Sequence, residues 1–189
     1  MSGWFAADPI AVGAVVGALA LILFAAAWHK LSEPDVFGAA LQAYDLLPAG
    51  AVMPAARVLP WIEIVTGAAL LAPATRDPAL LAFAALILLY AAAMTVNLLR
   101  GRRQIDCGCG GDVHPLSWGL VLRNGVLAAA ALSVAGPAIE REFEWLDGVI
   151  LVAGVLAFYA LYLLFDELLR QFSRIAQLRN AENQELEAK

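Results

Sequence analysis

Charge is what this chain has least of for its size. Asp, Glu, Lys and Arg make up 15% of 189 residues, while 62% are hydrophobic and the mean hydropathy is +0.75. A water-soluble domain carries about a quarter charged residues. The apolar excess is too large for one buried core, and its long runs make lipid the surrounding solvent. The net charge is −5, with much of the acid in the C-terminal tail, so no basic footprint for nucleic acid is visible. No nucleotide, haem or flavin motif occurs. The N-terminus "MSGWFAADPI" has no basic n-region. It does not read as a cleaved signal peptide, and the first apolar segment is expected to be retained. Cysteine is scarcer still, with two in the whole chain.

What is present is a set of apolar segments. A bilayer core of about 30 Å needs about 20 apolar residues per helix. Five segments qualify: 10–28, 55–72, 78–99, 116–135 and 148–165. Pro9, Pro73, Pro115 and Pro137 mark their ends. The expected fold is all-α: a polytopic membrane bundle with a four-helix core, a fifth transmembrane helix alongside and a polar C-terminal helix. Residues 1–165 form the bundle and 166–189 the tail. The glycines of "VGAVVGALA" are suited to close helix contact.

Five spans put the termini on opposite sides. The side bearing the C-terminus holds Lys30, Arg57, Arg100, Arg102, Arg103, Arg170, Arg174, Arg179 and Lys189; the other holds Arg76 and Arg141. The positive-inside rule makes the richer side cytoplasmic and the N-terminus external. Glu63 and Arg123 fall within apolar spans, each about eight residues from that side, or roughly 12 Å deep. Buried charges in a bilayer face the bundle interior with partners. The expectation is a buried Glu63–Arg123 pair, or a shared polar pocket with Asn97 and Asn124, acting either as a pin between helices or as a functional pocket. Lys30 is expected to snorkel at the end of the first helix. His29 and His114 are read as interfacial polar residues. Tyr90, Trp61 and Trp118 are read as packing or belt residues.

Both cysteines lie in "IDCGCGGDVHP", at Cys107 and Cys109. Two thiolates can bind a soft metal such as Cu(I) or Zn(II), with His114 or a partner completing the set. A static disulfide across one residue would add little stability. The favoured reading is redox exchange. Gly108 permits the bend that brings two such sulfurs together. A small ring is strained and readily exchanged. Arg100, Arg102 and Arg103 precede the pair and would favour thiolate, as would the dipole of the next helix. Arg102 and Arg103 are thus supporting residues, and His114 is the candidate for moving protons. Cys109, nearer the fourth span, is the slight favourite as attacking thiol.

Four stretches, "HKLSEPDVFGAALQAYDLLP", "LPWIEIVTGAALLAP", "LLRGRRQIDCGCGG" and "SWGLVLRNG", give the chain a further character. Over residues 10–135 it resembles the methylamine-utilisation MauE family, related to DoxX-like membrane proteins. The resemblance implies a bacterial inner-membrane protein associated with maturation of methylamine dehydrogenase, whose small subunit is disulfide-rich. It further implies a thioredoxin-like, MauD-like partner, and it matches Cys107 and Cys109 to the redox pair. The expected function is a membrane thiol–disulfide oxidoreductase or electron relay among that partner, a disulfide-containing client and a quinone. The alternatives are a soft-metal or small-molecule transporter and a non-catalytic maturation scaffold. The implied client lies in the periplasm, whereas the charge rule puts the dithiol on the cytoplasmic side.

Overall fold

A computed structural model of the chain describes residues 8–108, 115–136 and 142–187. Among them are six helices: α1 (Pro9–Ser32), α2 (Pro34–Ala43), α3 (Ala49–Leu71), α4 (Arg76–Leu99), α5 (Trp118–Ser133) and α6 (Trp145–Glu187). The fold is an all-α polytopic bundle. Helices α1, α3, α4 and the Trp145–Phe172 part of α6 are long and apolar enough to cross a membrane; α5 is a shorter apolar helix of 16 residues.

Local chemistry sets the boundaries. Asp8 caps α1 by accepting from the Ile10 amide at 2.8 Å, and Pro9 occupies the first turn, where its missing N–H costs nothing. Helix α3 begins at Ala49, earlier than expected, and carries Pro54 and Pro60 in its interior. Each proline removes one intrahelical bond, which packing within a membrane bundle tolerates. Helix α5 starts two residues later than expected because Pro115 and Leu116 are used elsewhere. Pro115 forms an isolated antiparallel bridge with Asp106, and the Leu116 amide donates to Ile105 at 3.1 Å. Helix α6 starts at Trp145, where Asp147 accepts from the Glu144 amide at 2.9 Å in a reciprocal cap. It then runs for 43 residues without a break at 166, because it contains no proline and no glycine after Gly154. At 1.5 Å per residue it is roughly 65 Å long, about twice the bilayer core.

Helix α2 was not anticipated. It follows α1 after a single residue, Glu33, and packs on α3. With the turn at 44–48 it covers the end of the bundle from which the thiol loop emerges. The remainder is a core of α1, α3, α4 and α5 around Leu23, Leu70, Leu80 and Phe83. Helix α6 lies against α1.

The glycines of α1 explain that last contact. A Cβ on Gly13 would stand 2.8 Å from Leu151, and one on Gly17 would stand 2.6 Å from Val155. A Cβ on Gly154 would likewise reach 2.9 Å from Ala14. The small-residue stripe of α1 is therefore filled within the chain by α6. Lipid offers no hydrophobic drive for helix association, so close packing of this kind has to supply the attraction. Gly17→Leu should separate α6 from α1 and destabilise the protein by about 1–3 kcal/mol. Thermal unfolding in detergent checks this; an unchanged midpoint would contradict the packing role.

Candidate functional site

At the covered end of the bundle, α1 continues four residues beyond the expected limit of Trp28, and α2 folds over it. Lys30 is thereby turned inward. It is 4% exposed, and it pairs with Glu63 of α3, which is fully buried. The expectation that Lys30 snorkels to the surface is overturned, because α2 stands where the solvent was assumed to be. Tyr90 of α4 donates to the same Glu63 Oε1 at 2.9 Å. The Lys30 ammonium lies 4.9 Å from the centroid of the Tyr90 ring and 5.2 Å from that of Phe37 in α2. Pairing, hydrogen bonding and two aromatic faces together offset the cost of burying the charges. The cluster ties α1, α2, α3 and α4 at one point.

Arg123 has a different partner. It pairs with Asp166 of α6 and approaches Asn124 Oδ1 at 3.4 Å through Nε. The guanidinium lies 5.6 Å from the Tyr162 ring, and Arg170 reaches Asp166 at 3.2 Å. The expected Glu63–Arg123 pair is thus replaced by two pairs, Lys30–Glu63 and Arg123–Asp166. Equal depth placed the two residues at one level, but each found a nearer counter-charge on a helix packed beside its own. Asn97 is also used elsewhere. It donates to the Tyr44 carbonyl at 3.1 Å and holds the end of α2 against α4.

That contact leads to the thiol loop. The Tyr44 hydroxyl donates to the Cys107 carbonyl at 3.1 Å. Cys107 is buried in an apolar cluster with Tyr44, Met94, Leu98, Leu116 and Leu120. It was expected in a polar loop, yet its side chain packs inward. The Asp106–Pro115 bridge pinches the loop at its neck. Asp106 Oδ1 accepts from the Gly108 amide at 3.1 Å, closing a turn around Cys107. Gly108 has φ +68°, a conformation that side chains disfavour. A Cβ there would also lie 3.4 Å from the Phe37 ring. The backbone conformation is what favours glycine at 108, since a Cβ would meet Phe37 only at ordinary contact distance. Cys109 and His114 lie outside the described residues. Arg102 pairs with Asp45 at 3.5 Å, Arg100 donates to the Asp45 carbonyl at 3.4 Å, and Arg103 is exposed. The arginine block therefore anchors the turn after α2.

Between the thiol loop and the ion pair lies a cavity of about 390 Å3. Cys107, Gly108 and Tyr44 line one side, Lys30 and Tyr90 another, and apolar residues of α3 and α4 the rest. Lys30 and Gly108 also border a small polar cleft with His29, Glu33 and Asp106. Among the described residues no three His, Cys, Asp or Glu side chains are grouped to hold a metal; two members of the candidate set Cys107, Cys109 and His114 fall outside them.

The family model described as "Methylamine utilisation protein MauE" matches residues 8–136. The chain belongs to the MauE family. The Methylamine utilization protein MauE of Paracoccus denitrificans is 43% identical over 133 residues, covering 69% of this chain and 72% of its own. That of Methylorubrum extorquens is 37% identical over 131 residues, with 68% and 70% covered. That of Paracoccus versutus is 40% identical over 162 residues, with 84% and 85% covered. No solved structure matches the chain significantly. The MauE match takes in Lys30, Glu63, Tyr90 and the thiol loop, whereas α6 and Asp166 lie beyond it. It makes the chain a multi-pass membrane protein of a methylamine-utilisation family.

Three contributors escaped the sequence: Tyr44, Tyr90 and Asp166. Tyr90 lies nine residues before the end of α4, roughly 14 Å deep. The depth argument that singled out Glu63 applies to it equally. Asp166 was legible as one half of an i,i+4 pair with Arg170. Nothing marked Tyr44, because its role depends on α2.

Lys30→Met should destabilise the protein by about 3–5 kcal/mol, since it leaves the buried Glu63 without its counter-charge. Adding Glu63→Leu should recover most of that loss. Glu63→Gln and Arg123→Gln should add within about 0.5 kcal/mol, as separate sites do. Unfolding in mixed micelles measures all of these. Strong coupling between Glu63 and Arg123 would contradict the two-pair arrangement.

Proposed function

We propose that Cys107 and Cys109 form an exchangeable dithiol–disulfide couple. In this reading the protein relays electrons between a thioredoxin-like, MauD-like protein and a disulfide-containing client during maturation of an exported redox enzyme such as methylamine dehydrogenase. The observation that carries the reading is Gly108. Its left-handed backbone, φ +68°, turns the chain between the two cysteines inside a loop pinched at Asp106 and Pro115. A disulfide needs Cα atoms about 4.4–6.8 Å apart, which such a turn favours.

Burial divides the labour. Cys107 is buried in an apolar cluster, which disfavours direct attack by a protein partner. Cys109 is then the thiol that meets partners. Its thiolate attacks a partner disulfide, forming a Cys109–partner bond and releasing one partner thiolate. Cys107 attacks the Cys109 sulfur, releasing the second partner thiolate and leaving the Cys107–Cys109 disulfide. Every step runs equally in reverse, so the potentials of the two couples set the direction. Arg102 and Arg103 give the loop a positive surround, and His114 is the group for proton transfer. The Arg123–Asp166 pair holds α6 beside the α5 end of the loop. The family resemblance implies the bacterial cytoplasmic membrane. The positive-inside rule puts the N-terminus outside and the thiol loop inside, opposite the compartment of an exported client, and the labelling experiment below decides between the two.

Cys107→Ser should trap a reductant-sensitive covalent complex between Cys109 and its partner in cells, visible on non-reducing gels and identifiable by mass spectrometry. Cys109→Ser should trap none. Client maturation that survives loss of both cysteines would contradict the redox reading and leave a scaffold. Orientation has its own check. In a cysteine-free background, Arg103→Cys should react with an impermeant maleimide only after permeabilisation; labelling on intact cells would invert the topology.

A further inference from the structure

The cavity beside Cys107 has a composition that thiol exchange between proteins does not require. Its rim includes Val58 of α3 and Leu89 of α4, which are 54% and 59% exposed. On a membrane-spanning bundle such surface faces lipid, so the cavity fills from the bilayer and its occupant is lipid-soluble. Its volume of about 390 Å3 suits a substituted ring with the start of a hydrocarbon tail. The walls are apolar apart from one cation and two phenols, of Lys30, Tyr90 and Tyr44. Lys30 has three N–H bonds and spends one on Glu63 Oε1. Lys30 borders the cavity with N–H bonds beyond the one given to Glu63, so an occupant with an oxygen acceptor gains a partner there. A hydrocarbon chain has none.

Redox bookkeeping narrows the class. A dithiol that becomes a disulfide releases two electrons and two protons. The lipid-soluble compounds that accept both at paired oxygen atoms are quinones. We infer that this cavity binds a membrane quinone, which reoxidises the Cys107–Cys109 dithiol. The inference rests on the dithiol reading above and names its terminal acceptor. Two S–H bonds break and one S–S bond forms, while both quinone carbonyls become hydroxyls. Lys30 holds one carbonyl oxygen and stabilises the negative charge that develops there as electrons arrive. The cleft lined by His29, Glu33 and Asp106 touches Lys30 and Gly108 from the other side. It offers a polar path by which protons leave the thiols and reach the quinone oxygens. Glu63 Oε2 is buried and accepts no hydrogen bond among the described residues. Glu63 places its carboxylate beside the Lys30 ammonium and fixes the lysine head group at the cavity wall.

The test uses the full chain, reduced and freed of excess thiol, in lipid nanodiscs with or without ubiquinone. Thiol state is read by alkylation and quinone reduction by ultraviolet absorbance. Oxidised glutathione, a soluble disulfide, provides a parallel arm. The expected result is one quinol formed per pair oxidised, with no oxidation in anaerobic quinone-free discs. Ala93→Trp, which fills the cavity, should slow quinone reduction at least tenfold, and Val58→Phe at its rim should do the same if the first variant folds poorly. Oxidation by glutathione but not by quinone would overturn the inference and leave the dithiol reading standing. Oxidation by neither would overturn both. Undiminished quinone reduction in both filled variants would show that the cavity is not the site.

Discussion

The Lys30–Glu63 pair, with the Tyr90 hydroxyl on the same carboxylate oxygen, is the interaction on which the rest of this structure depends. A carboxylate inside a bilayer is too costly to leave alone. Satisfying it draws the end of α1 inward, brings the middle of α4 to α3, and leaves α2 to close over the ammonium through Phe37. Once α2 is in that position, Tyr44 can hold the Cys107 carbonyl and Asp45 can take the arginines that precede the loop. The placement of the thiol loop therefore follows from a charge buried on a different helix. The same pair leaves an apolar cavity with one cationic wall, because the lysine is fixed at its head group while α3 and α4 spread beneath it.

Helix α6 is held by other means. Its upper part meets α1 through Gly13, Gly17 and Gly154. Lower down, Asp166 meets Arg123 of α5. One contact is pure packing and the other ionic, and together they fix both the spacing and the rotation of a helix otherwise facing lipid. The α1–α5 region carries the family match and the thiol loop. Helix α6 adds a second counter-charge to it and extends beyond the bilayer.

Much of this could be read directly. Composition and apolar run length identify an all-α membrane bundle, because a lipid solvent leaves a chain few other ways to satisfy its backbone. The special status of the Cys-Gly-Cys stretch followed from thiol scarcity, and the residues around it carried the MauE resemblance. The errors came from one source. Depth along a helix can be counted, but rotation about its axis and the identity of its neighbours cannot. Equal depth pairs Glu63 with Arg123, whereas each has a closer partner. Lys30 reads as solvent-facing because the ten residues of α2 are too short to announce a covering helix. Tyr90 reads as packing for the same reason; its hydroxyl matters only because Glu63 is there.

The central claim is the proposal that Cys107 and Cys109 are a reversible redox couple. It is tested most directly by equilibrating the full-length protein in membranes against graded thiol–disulfide buffers, then counting free thiols by a mass-adding alkylating reagent. The account predicts a single two-electron transition within the range of cellular thiol–disulfide buffers, abolished by serine at either position. Two thiols that stay reduced across that entire range, or a disulfide that never opens within it, would contradict it.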